Sequence, residues 1–149
     1  MKTKLFLAGI GVLVFAGVYV FGSSLDTASI DADQRLVFAG EEISIEIANT
    51  TISRAQGLSG RESLPVGSGL LFTFNSASTY GFWMKDMNFP IDILWFDSEK
   101  KLVDITRDIS PDTFPETFYP DTPAMYVLET NVGEFDVEEG DFGEGFELK

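Results

Sequence analysis

The chain of 149 residues carries 24 acidic against 10 basic residues and has neither cysteine nor histidine. Thiol nucleophiles, disulfides, Cys/His zinc sites and Ser-His-Asp triads are therefore excluded. Any general acid or base is Asp, Glu, Lys or Tyr, and any metal site is built from oxygen ligands, which favours calcium or magnesium over zinc or copper.

The N-terminus sets Lys2 and Lys4 before an apolar run from Leu5 to Gly22, followed by Ser23, Ser24 and the first acid, Asp26. The run reaches the ~18 residues a spanning helix needs, and it offers a poor cleavage site and no cysteine for a lipid. A signal anchor over 1–22 is expected, with a cleaved signal peptide as the alternative. The leading lysines stay cytoplasmic and place the acidic remainder outside. Residues 23–34 have the small, polar composition of a tether, and 35–149 form a single domain. Beyond residue 25 there are eight basic and 24 acidic residues, a net −16, which disfavours nucleic acid and anionic lipid as partners.

Within the domain, Ile43, Ile45 and Ile47 alternate with Ser44, Glu46 and Ala48, the period of a strand with one buried face. Thr50 or Thr51 caps a short helix near Ile52–Gln56, with Ile52 and Ala55 on a common face and Gly57 ending it. Leu70, Phe72 and Phe74 line one side of the next strand. Strands over Phe82–Lys85 and Ile91–Phe96 follow, and Asp97-Ser98-Glu99-Lys100 turns the chain into a strand over Leu102–Arg107. This order reads as a meander. Ser110 to Pro123 holds four of the six prolines with Phe114, Phe118 and Tyr119, a long loop whose aromatics either pack inward or form a binding surface. Met125–Thr130 returns to strand. The expected fold is mainly β with one short helix (α+β), a mostly antiparallel sheet or partly closed barrel.

Two carboxylates break the apolar pattern. Asp92 lies in the Ile91–Phe96 strand and Glu129 in the Met125–Thr130 strand, and an ionised carboxylate in such surroundings needs a cation or a partly wet pocket. In Gly81-Phe82-Trp83-Met84-Lys85, strand geometry puts Trp83 and Lys85 on one face and Phe82 and Met84 on the other. The acidic tail Glu138-Glu139-Gly140-Asp141, with Glu144 and Glu147, lacks the ordered spacing of a calcium loop and reads as a solvated charge run.

Arg54-x-x-Gly57-Leu58-x-x-Arg61-x-x-Leu64, Gly69-Leu70-Leu71-Phe72-x-Phe74, Phe82-Trp83-Met84-Lys85, Pro90-x-Asp92-Ile93 and Pro123-Ala124-x-Tyr126-Val127-Leu128-Glu129 occur in this order. Together they resemble the domain of unknown function 192 family over roughly Ile43 to Phe146. The resemblance implies a small, mostly β domain, often exported or membrane-tethered, and implies no established activity. Its polar positions fall on Arg61, Trp83, Lys85, Asp92 and Glu129. The chain departs from the family's pattern at Asp86, where Asn is usual, and at Val132–Val137, where the family's short helix before the final Gly-Asp is abbreviated.

These five residues are the candidate site. Arg61 is the natural bidentate partner for Asp92 or Glu129, either to hold the fold or to serve a ligand. Trp83, beside Lys85, is either core or a stacking platform at a pocket mouth. Three functions stay open: an extracytoplasmic ligand-binding module with a pocket near Trp83 and Asp92, a domain binding an envelope protein partner, and a small hydrolase using Asp92 and Glu129 as its carboxylate pair. No cofactor or metal is implied, and the membrane is contacted through residues 5–22.

Overall fold

A computed structural model describes residues 34–138, 141 and 143–149. The expected anchor and nearly all of the tether lie outside the described residues. Among the described residues, no helix is long and apolar enough to cross a membrane.

The strands are β1 (Arg35–Phe38), β2 (Glu41–Ala48), β3 (Ser68–Ser78), β4 (Phe82–Trp83), β5 (Ile91–Phe96), β6 (Leu102–Ile109), β7 (Thr117–Phe118), β8 (Ala124–Asn131) and β9 (Glu147–Leu148). The helix α1 spans Thr51–Gln56, and a 3-10 turn covers Pro111–Thr113. Isoleucines in β2 and aliphatic and aromatic residues in β3, β5 and β8 suit a pleated, well-packed surface. Thr50 supplies the cap of α1. Its hydroxyl accepts from the Ser53 amide at 3.0 Å, and the Ser53 hydroxyl accepts in turn from the Thr50 amide. Gly57 closes the helix at φ 52° and ψ −136°, a combination that a side chain disfavours.

Seven strands form one open sheet in the order β6-β5-β8-β3-β2-β1-β9. It is not closed into a barrel. The tail approaches the β6 end through a single bridge between Lys101 and Gly145, supported by the Leu102 amide donating to the Glu144 carbonyl at 2.7 Å. The meander expected from the sequence is also corrected. β2 and β3 pair in parallel, with Ser44 beside Ser68 and Ala48 beside Phe72, while β8 inserts between β3 and β5. Parallel neighbours require a crossover, and the connection from Asn49 to Gly67 with α1 provides it. The strand expected over Phe82–Lys85 shrinks to two residues. It leaves the main sheet to pair with β7, from the long loop.

Both faces of the sheet are covered. Leu70, Phe72, Ile93, Trp95 and Val127 belong to one core, with Leu58, Phe82 and Met84 packed over them. Ile43, Leu71, Leu94, Phe96 and Leu128 belong to the other, closed by Phe135, Val137 and Phe146. All six residues of β5 are consequently buried. The helix behaves differently from expectation: Ile52 is 84% exposed and no residue of α1 is buried. The helix rims the sheet instead of inserting an apolar face into it.

Gly69 allows a close approach at the second core. A Cβ there would lie 3.0 Å from Leu128 Cδ1, 3.1 Å from the Glu129 carbonyl oxygen and 3.1 Å from Ile43 Cδ1. Because one of those neighbours is backbone, Gly69→Ala is expected to cost about 1–3 kcal/mol. A urea midpoint equal to that of the parent would show that the strands can separate to admit the methyl group.

Candidate functional site

β3, β4 and α1 enclose a cavity of about 280 Å³ on the first face of the sheet. Its walls follow from strand alternation: Phe72 and Phe74 project from β3 on the side that also carries Leu70. Phe82 and Trp83 come from β4, Tyr80 from the turn before it, and Arg54, Gly57 and Ser59 from α1 and its exit. The rings lock one another. Phe82 meets Phe72 edge-on at 4.8 Å and Trp95 at 5.2 Å, while Phe74 and Tyr80 stack at 3.6 Å. Gly57 borders the Phe72 ring, and a Cβ there would stand 3.5 Å from it in ordinary contact, so the glycine answers to its positive φ and not to lack of space.

Glu129 is the buried acid of this cavity. It is 5% exposed, and its Oε2 is buried without a hydrogen-bond partner. Across the sheet it stands in a row with Glu46 on β2, Leu70 on β3 and Ile93 on β5. Burial pushes its carboxyl up to about 8, against a smaller downward pull from Arg61. Near neutral pH the group is largely protonated, so it can donate as well as accept a hydrogen bond.

Arg61 does not pair with Glu129 or Asp92. Its guanidinium is committed to Glu46 through two bonds, Nη1 to Oε1 at 2.6 Å and Nη2 to Oε2 at 2.7 Å. That contact lowers the Glu46 pKa and raises that of Arg61, which also feels the Glu129 charge.

Asp92 lies on the opposite face, and the reason is register. In β5 and β8, Asp92 sits across from Thr130 and Ile93 across from Glu129, so the two carboxylates point to opposite sides of one sheet. Asp92 therefore cannot join Glu129 in a two-carboxylate hydrolytic centre, nor does it line the cavity near Trp83. It is 1% exposed and fully engaged, accepting from Arg107 Nη1 at 3.1 Å, the Asp108 amide at 2.8 Å and the Gly133 amide at 3.0 Å. Arg107 also donates to the carbonyls of Phe135 and Val137. This cluster clamps the 131–137 segment over the second core.

Of the five residues proposed from the sequence, the structure brings Trp83 and Glu129 to one cavity and leaves Arg61 beside it. Lys85 is exposed, and its contribution is main-chain: its carbonyl accepts from the Ser59 hydroxyl at 2.8 Å. Glu46 and Arg107 were not singled out as ion-pair partners, nor Phe72, Phe82 and Arg54 as cavity walls. Arg107 was out of reach of hairpin counting: pairing outward from the Asp97–Lys100 turn sets Ile105 opposite Asp92, and the register shifts between Trp95 and Phe96 and between Ile91 and Ile93 bring Arg107 there instead. Among the described residues, no group of three or more Asp or Glu is placed to hold a metal ion.

The family model DUF192, described as "Uncharacterized ACR", matches residues 27–143, which include eight of the nine strands. The chain belongs to the DUF192 family. Its fold is similar to that of a Sinorhizobium meliloti 1021 protein described as a "putative transcription regulator", with 27% identity, a TM-score of 0.68, and coverage of 77% of this chain and 91% of that one. A protein of unknown function from Novosphingobium aromaticivorans DSM 12444 shares the fold at 23% identity and a TM-score of 0.68, covering 76% of this DUF192 chain and 83% of its own. No curated protein matches the sequence.

Proposed function

We propose that this DUF192 chain is an extracytoplasmic small-ligand-binding module, held to the membrane by residues 5–22, whose ligand enters the cavity between Trp83 and Glu129. The observation that supports it is the meeting of an aromatic-walled cavity with a buried carboxyl oxygen that has no protein partner. Buried polar groups are nearly always satisfied, and sites of ligand recognition pair apolar walls with a few such groups. The positive residues before the apolar run and the acids after it support the placement outside the cytoplasm.

A screen of small fragments by NMR on the full-length chain tests this reading. Binding is expected to shift the Trp83 indole resonance. Because Trp83 is 55% exposed, Trp83→Ala should change unfolding free energy by no more than about 1 kcal/mol while weakening binding at least tenfold. Fragments that perturb only residues remote from the cavity, or none that bind at all, would overturn it.

A second reading, partner binding at the same rim, is favoured by one feature: Trp83, Phe114 and Tyr119 are all exposed, with Trp83 and Phe114 edge-on at 6.1 Å. The Sinorhizobium meliloti protein is described as a "putative transcription regulator", and direct binding of nucleic acid by this chain is a poorer match to its net charge of −14.

A further inference from the structure

We infer that the ligand of this cavity is a small organic ammonium, seated against the Glu129 carboxylate and the rings of Phe72, Phe82 and Trp83; the inference rests on the cavity being a ligand site. The carboxyl lacks a counter-charge of its own. Arg61, the cation whose charge it feels, has its fork filled by Glu46, and the Glu129 Oε2 is left buried and unbonded. An ammonium supplies what is missing, a positive charge and N–H or polarised C–H groups. Aromatic rings beside it add attraction through their negative faces, the arrangement that recurs in sites for alkylated amines.

The other charged and titratable groups around Glu129 leave room for this. Glu46 on β2 is neutralised by Arg61, and the row position on β5 is the apolar Ile93. Tyr80 lies at the Phe74 end, stacked on that ring. On α1, the Arg54 guanidinium donates to the Thr73 carbonyl at 2.8 Å and sits 5.1 Å from the Phe74 ring centre. Thr73 is three residues along β3 from Leu70, the neighbour of Glu129, which is ~10 Å of strand. Its charge therefore belongs to the far end of the cavity. An anion at the Glu129 end would meet the carboxyl directly and a protein of net charge −14, whereas cations are drawn toward such a surface.

The proton on Glu129 makes the class of ligand measurable. An ammonium selects the carboxylate, so binding below pH 8 must expel the proton that burial holds there. A neutral hydrogen-bonding ligand would keep it. Titration calorimetry of the full-length chain with tetramethylammonium and butylammonium, against tert-butanol and pivalate as a neutral and an anionic comparison, separates these cases. The ammonium probes are expected to bind with an affinity that rises about tenfold per pH unit from 6 to 8 and then levels, with close to one proton released at pH 6.5. Glu129→Gln should weaken them at least tenfold and abolish the pH dependence. If that variant does not fold, the proton count on the parent decides. Equal or tighter binding of tert-butanol or pivalate, or ammonium binding without proton release, would overturn the ammonium assignment while leaving the cavity a ligand site. Absence of any probe or fragment at Trp83 would remove both.

Discussion

Asp92→Ala is expected to lower the unfolding free energy by on the order of 3 kcal/mol, against about 0.2–1 kcal/mol for an exposed ion pair. The carboxylate is buried and accepts from one guanidinium and two main-chain amides, so its removal leaves the amides of Asp108 and Gly133 without their partner. Arg107 is partly exposed and can turn toward water, which keeps the cost from rising higher. Loss should also be local in character. The 131–137 segment is tied down through the Gly133 amide and through the Phe135 and Val137 carbonyls on Arg107, so hydrogen exchange there should accelerate first. Denaturant midpoints of the two proteins check the magnitude. A midpoint unchanged within about 0.5 kcal/mol would mean the carboxylate is dispensable to the clamp.

Stability should fall as pH rises from about 5 to 8, and Glu129 is the cause. In the unfolded chain its carboxyl loses its proton near the ordinary 4.5, whereas in the folded protein burial holds the proton to about 8. Between these values the folded state binds more protons than the unfolded state, so each pH unit removes up to about 1.4 kcal/mol, on the order of 5 kcal/mol across the window. Glu46 works in the opposite sense at lower pH. Its carboxyl is held below 4.5 by Arg61, so its contribution is present above that value and fades as pH falls. Glu129→Gln keeps the side-chain volume and removes the titration, and it should flatten the profile between pH 5 and 8. Urea unfolding at four pH values measures both. Parallel profiles for parent and variant would place the cause elsewhere.

Much of this was legible in the chain itself. Ile43, Ile45 and Ile47 announce β2, and Thr50 with Gly57 brackets α1 to within a residue. Asp92 and Glu129 stood out as carboxylates in apolar runs, and both are buried. The alternation of Phe82 and Met84 against Trp83 and Lys85 also holds: the first two are buried and the last two exposed, although only two residues of that segment pair as a strand.

The partners were another matter. Arg61 was expected to meet Asp92 or Glu129, and it meets Glu46, which a parallel β2–β3 pairing sets two strands from Glu129 in the same row. Asp92 and Glu129 were expected together, and they are separated by the thickness of the sheet. By itself the sequence determined β2, β3, β5, β6 and β8, the helix cap and the burial of Asp92 and Glu129, because burial period and capping are set by neighbours a few residues apart, whereas the short strands β1, β7 and β9 went unread. Only the tertiary structure decided which face each acid occupies and which cation it meets. β5 and β8 are covered on both sides, so their apolar residues carry no alternation to mark a face, and a shift of one residue in their pairing would set Asp92 directly across from Glu129 on a single face.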